Sequence, residues 1–137
     1  MEIENLSNVH FLPPVSYQEL PSYAAGFDAC VLPWNTEVPF TSYGSAIKVR
    51  EYLASGKPVV ISPLPEYESM GNVLRIARSR DQFLELVDEV LGESGAEKVQ
   101  ARQDAVRDGT WDARAEGVSE LIEQALRGKT VSSQPQN

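Results

Sequence analysis

The stretch "AIKVREYLASGKPVVISPLPE" (Ala46 to Glu66) holds a helix, its stop signal and a buried strand in immediate succession. The helix is expected over about 45–55. Gly56 then suits the left-handed position just past a helix end, and Lys57-Pro58 forbids continuation. "PVVIS" (58–62) is apolar without alternation, the pattern of a strand covered on both faces of a parallel sheet. Inside this helix sits one glutamate, Glu51, four residues before Ser55. A charge there is either an ordinary solvated residue or a ligand for something bound above it.

Outward from this stretch, strands and helices alternate. "NVHFL" (8–12) reads as a strand. "SYQEL" (16–20) sets Ser16 and Glu19 at capping-box spacing, and Pro21 restricts this segment to a turn and a helix ending near Gly26. "DACVLPW" (28–34) reads as a second strand, stopped by Pro33, with the loop "NTEVPFTSYG" leading to the 45–55 helix. After "PVVIS" comes a shorter fourth strand, "NVLRIA" (72–77). Ser79 and Gln82 form a second capping box ahead of a helix striped by Phe83, Val87, Val90 and Leu91 and ended by Gly92. Helices are expected near 96–107 and 111–127, the latter striped by Val118, Leu121, Ile122 and Leu126. The polar segment 128–137 is expected to be a disordered tail beyond one domain over 1–127. No internal repeat is present. The alternation predicts an α/β fold of about four parallel strands joined by right-handed crossovers. Ligands of such sheets bind beyond the carboxyl ends of the strands. That places "LPPV", "PWNTEVPFTSYG" and "SPLPE" along one rim, with the N-terminus of the 45–55 helix aimed at it.

Composition narrows the function. The 137 residues carry a net charge of −8 and 42% apolar residues, enough for a core. No basic run appears, which disfavours nucleic acid and anionic membrane as partners. No apolar run reaches membrane length, and Met1 is followed by Glu2 and Glu4, unlike a signal peptide. A cytoplasmic location is the expectation. Cys30 lies in the apolar run "ACVL" and reads as a small core residue. With one Cys and one His, no Cys/His zinc site can form within the chain. The dinucleotide and triphosphate glycine loops and the serine-nucleophile elbow are all missing. No metal ligand, cofactor or catalytic residue is assigned.

What remains is an anion site at the start of the 45–55 helix. Gly44, Ser45, Ala46 and Ile47 would leave free N–H groups there, the helix dipole favours a phosphate, and Lys48 can add a charge. Glu51 lies one turn below Ile47 on the same face. Its carboxylate offers two acceptor oxygens to a vicinal diol such as a nucleotide ribose. The alternative is that Lys48 and Glu51, at i,i+3, form a surface ion pair worth a few tenths of a kcal/mol.

The ordered combination "NVHFLPPVSYQELPSYAAGFDACVLPW", "IKVREYLASGKPVVISPLPE" and "TWDARAEGVSELIEQAL" resembles the C-terminal part of group-1 (family 4) retaining glycosyltransferases of GT-B fold, from about Asn8 to Leu126. The resemblance implies a partial Rossmann-like domain that binds a UDP-, GDP- or ADP-linked sugar and needs no metal. It implies that Glu51 binds the donor ribose, that Gly44 to Ile47 hold the phosphates, and that the base packs against Leu12 to Val15. Many members carry a further glutamate for the donor sugar eight residues earlier, where this chain has Tyr43, which leaves the sugar open. Pro13 replaces a common glycine and removes one N–H near the base.

Against the family's pattern, the acceptor-binding domain and the first two strand–helix units of the donor domain are missing. The expectation is therefore a truncated gene, a fragment, or one piece of a split enzyme, inactive alone. A non-catalytic nucleotide- or partner-binding module that complements a second chain is the alternative. In the parent order 3-2-1-4-5-6, strand 8–12 would have lost its neighbours and is expected to pair directly with strand 28–34. The crossover helices then share one face. Val31, Val59 and Val60 would face water on the other unless the C-terminal helices cover them, which favours self-association or a partner.

Overall fold

The computed structural model describes residues 3–42, 44 and 46–131, with backbone alone at 4, 42 and 129–131. A 3-10 turn, Ile3–Asn5, leads through an irregular segment to α1 (Leu20–Ala25) and β1 (Cys30–Leu32). Next come a short α2 (Pro39–Ser42), α3 (Ile47–Ala54) and β2 (Val59–Ile61). A 3-10 helix, Pro65–Met70, precedes β3 (Arg75–Ile76), and α4 (Arg80–Leu91), α5 (Ala96–Asp104) and α6 (Trp111–Val131) complete the chain.

The sheet is parallel in the order β1-β2-β3, with Cys30 opposite Val59, Leu32 opposite Ile61, and Ile61 opposite Ile76. The chain is α/β with a small Rossmann-like parallel sheet, as the alternation predicts, but among the described residues the strands number three rather than four. "NVHFL" does not join the sheet, so its expected pairing with 28–34 does not occur. A strand needs a partner for its N–H and C=O groups and a face to bury. Phe11 and Leu12 are 65% and 58% exposed, so no burial holds the segment against the edge of β1. The stretch 72–77 narrows to two residues of strand, because the N–H groups of Val73 and Leu74 both turn back to Met70 O, at 3.0 and 3.2 Å.

Helix α3 ends where the sequence says it must. Gly56 takes φ +76° and donates its N–H to Leu53 O at 2.9 Å. Val49 and Leu53, four residues apart, are fully buried against Cys30, Val59 and Ile61. Burying a leucine of this kind stabilises the fold by about 1.5–3 kcal/mol. The 3-10 helix adds Leu64 and Tyr67 to the same layer, so both crossovers lie on one face. On the other face α4 sets Val90, Phe83, Leu86 and Val87 against Val60 and Ala77. Val60 is thereby fully buried, whereas Val31, its neighbour on β1, stays 42% exposed. The Ser79 hydroxyl caps α4 by accepting from Gln82 N at 3.2 Å, and Gln82 reaches back to Arg78 N at 2.7 Å rather than to Ser79. Ser16 donates its N–H and its hydroxyl to Glu19, at 3.0 and 2.6 Å, just before α1.

One buried carboxylate ties the lower end together. Glu93 pairs with Arg102 and with Arg75 (2.5 Å), and Arg102 also donates to Gly56 O at 3.1 Å. Both members of the Glu93–Arg102 pair are buried, which charges tolerate only when paired and hydrogen-bonded. Helix α6 extends through Val131 and so takes in four residues of the expected tail, 128–131. Residues 132–137 lie outside the described residues.

Candidate functional site

The rim beyond the carboxyl ends of the strands is built from the segments after Leu32, Ile61 and Ile76. Between β1 and α3 the chain turns through Asn35–Ser42. Asn35 Oδ1 accepts from Glu37 N at 3.0 Å, and the Thr41 hydroxyl lies 2.5 Å from Asn35 O and 2.6 Å from Val38 O. The chain then passes beside the Trp34 ring, whose edge lies 3.8 Å from where a Gly44 side chain would begin.

This path delivers Ala46 as the N-cap of α3. Ala46 contributes no side-chain hydrogen bond to the helix, and the first turn holds no acidic residue. Among the described residues the N–H groups of Ala46, Ile47 and Lys48 have no acceptor. Three donors therefore converge at the positive end of the helix dipole, the arrangement that binds anions elsewhere. Gly44 does not join them, because its N–H goes to Thr41 O at 3.2 Å to close the preceding turn. Ser45 and Tyr43 fall outside the described residues.

The position of the helix end is fixed from below. Tyr67 is fully buried and its hydroxyl donates to Ala46 O at 2.9 Å, while the same carbonyl accepts from Val49 N at 2.9 Å. Arg50, pointing to the same side, donates to Glu66 at 2.9 Å. That bond pushes the Arg50 guanidinium above its ordinary range, burial opposing and Tyr67 adding to it. Two contacts thus clamp α3 to the 3-10 helix Pro65–Met70.

Glu51 is half-buried, one turn below Ile47. Its carboxylate makes no hydrogen bond or ion pair with any described residue, and Lys48, three residues away, does not reach it. The surface pair weighed from the sequence is therefore not formed. The Tyr52 phenol beside it is pushed up, first by burial and then by the nearby Cys30 and Glu51. What the sequence grouped as one site is brought together only in part. Ala46, Ile47, Lys48 and Glu51 share one end and flank of α3. Leu12 and Val15 lie on the irregular segment before α1, with no hydrogen bond to β1 or α3 among the described residues.

Two features escaped the sequence reading. The Tyr67 clamp is one; its only trace is a single aromatic within the polar run "PEYES". The other is a shallow rim recess of about 360 Å³ on the α4 side, lined by Trp34, Thr36, Ser62, Arg78, Arg80 and Phe83. The two arginines flanking the cap Ser79 were its visible signal. Chemically, the α3 end offers three N–H donors and a cation to an anion, and two acceptor oxygens one turn away. Among the described residues there is no cluster of metal-ligating side chains, and no helix is long and apolar enough to cross a membrane.

Comparison with known proteins bears on this site. Residues 1–93 match the family model described as "Glycosyl transferases group 1", about two thirds of the chain. The chain is also 28% identical over 116 residues to a protein of Bacillus subtilis (strain 168) that carries the name teichuronic acid biosynthesis glycosyltransferase TuaH. That match covers 81% of this chain and 29% of the relative, so the chain spans under a third of the relative's length. No solved structure matches it significantly. A parallel α/β sheet with an uncapped helix end on its rim, and a family match over most of those elements, lead to one assignment: the chain belongs to the group 1 glycosyltransferases.

Proposed function

We propose that this chain is the donor-binding part of a glycosyltransferase that moves a glycosyl group from a nucleotide sugar to an acceptor hydroxyl, with retention of anomeric configuration. The observation that carries the reading is the pairing of an uncapped α3 N-terminus with the unpartnered carboxylate of Glu51 one turn below it. The donor diphosphate accepts from the N–H groups of Ala46, Ile47 and Lys48, with the Lys48 ammonium nearby. Glu51 accepts from the ribose hydroxyls. The leaving diphosphate gains charge as the glycosidic bond breaks, so fixed N–H donors at its position favour the transition state over the bound donor. Four residues of helix rise about 6 Å, which suits a group next to a diphosphate. Ser45 and Tyr43 complete the loop above the helix in this reading, and Leu12 to Val15 come to the base when donor binds.

Donor binding alone does not transfer sugar, since catalysis by positioning needs an acceptor held against the donor. The chain by itself is expected to give no product from nucleotide sugars and a panel of acceptors, and turnover by it would contradict this division of labour. The direct test is titration calorimetry of the wild type with UDP, GDP and ADP. At least one should bind, and Glu51→Ala should weaken it roughly tenfold, the worth of one charge-assisted hydrogen bond. Equal affinity of the two proteins for every nucleotide that binds would overturn the proposal.

A further inference from the structure

Helix α6 is the longest element of the chain, at 21 residues, and of those whose burial is described all but Gly117 are exposed. Yet it is not uniformly polar. Trp111, Val118, Leu121, Ile122 and Leu126 are each more than half exposed, and with Ala115 and Ala125 they fall on one stripe. Trp111, Ala115, Val118, Ile122 and Ala125 follow alternating steps of four and three, the spacing of a helix seam rather than of scattered surface residues. An isolated helix of this length is marginal in water, and a stripe of this width is ordinarily covered.

The charges on α6 indicate what covers it. Residues 111–123 carry Asp112, Glu116, Glu120 and Glu123 against a single Arg114, whereas 124–131 carry Arg127 and Lys129 and no acid. Two such helices side by side in parallel would set acid against acid and base against base. Run antiparallel, they set the acidic part of each along the basic end of the other. With Val118 opposite Ile122 of the second copy, Ala115 falls opposite Ala125. Small residues there let the backbones approach, and Arg127 falls beside Asp112 and Glu116. From this we infer that α6 is an interaction surface for a second copy of this chain, formed as an antiparallel helix pair along the Trp111–Leu126 stripe.

The test is sedimentation equilibrium of the whole chain over a wide concentration series, with circular dichroism to confirm retained helix. The wild type should show a concentration-dependent dimer. Ile122→Glu removes apolar burial twice per dimer and should weaken association about a hundredfold. Two further variants address orientation: Asp112→Lys with Glu116→Lys, and Arg127→Glu with Lys129→Glu. Each alone should weaken the dimer, because antiparallel pairing then brings like charges together, and an equimolar mixture of the two should restore it. A monomer at all concentrations overturns the inference, as does a dimer indifferent to Ile122→Glu, or charge variants that associate as well alone as mixed.

Discussion

Replacing Gly56 by alanine tests the junction on which the α3 end depends. Gly56 sits at φ +76°, where an L side chain costs about 1–2 kcal/mol. A Cβ there would lie 2.6 Å from Val99 Cγ1 on α5, too close for either atom to stay in place. Overpacking of this kind costs about 1–3 kcal/mol. Reduced freedom of the unfolded chain returns about 0.4–1 kcal/mol. Gly56→Ala should therefore destabilise by roughly 1–4 kcal/mol. Val99 is 39% exposed, so Val99→Ala alone should cost under about 1 kcal/mol. The double variant relieves the clash and leaves the backbone strain, so the two changes should couple favourably by about 1–3 kcal/mol. Urea denaturation followed by circular dichroism measures all four corners of the cycle. If Gly56→Ala costs less than about 0.5 kcal/mol, or if Val99→Ala recovers nothing, the close approach of α3 and α5 is not as described.

Tyr67→Phe removes the hydroxyl that holds Ala46 O, a carbonyl that keeps its second partner Val49 N. The loss should be near 1 kcal/mol in denaturation, with weaker nucleotide binding, because the helix end is less firmly placed. Burial pushes the Cys30 thiol up to about 11, despite Lys57 nearby. A raised folded-state value means the neutral thiol is favoured in the fold, so stability from this group is full at neutral pH. It is lost as pH climbs from the unfolded thiol's range, about 8.5, toward 11. A thiol reagent at pH 8 should accordingly label the native chain far more slowly than the urea-unfolded chain, and equal rates would contradict the burial.

The elements read most reliably from sequence were those whose limits are set by local chemistry. Gly56 with Lys57-Pro58 stopped α3, Ser79 capped α4, and Pro33 stopped β1, because positive φ, a free hydroxyl and a missing N–H act within one or two residues. "NVHFL" failed for the opposite reason. Its composition suits a strand, but being a strand depends on a neighbour, and no neighbour is encoded in five residues. Helix α2 was read as loop, since "PFTS" is too short for periodicity to register. In the site, the helix spacing correctly set Glu51 under Ile47. Two things were not legible: that Gly44 would spend its N–H on Thr41 O, and that Tyr67, sixteen residues after Glu51, would clamp Ala46 from beneath. Arg102 shows the same limit. Its helix is polar throughout, and only the fold reveals that its guanidinium is buried on Glu93 and Gly56 O.

The central claim is that Glu51 grips ribose hydroxyls while the α3 end holds the diphosphate, and one calorimetric cycle separates those roles. It compares wild type and Glu51→Ala, each titrated with the nucleoside diphosphate that binds wild type and with its 2′,3′-dideoxy counterpart. Both ligands share the diphosphate and base, and only the first presents hydroxyls to the carboxylate. The account predicts that Glu51→Ala weakens the ribose form roughly tenfold and leaves the dideoxy form nearly unchanged, a coupling of about 1.4 kcal/mol. Equal weakening of both ligands, or of neither, would contradict it.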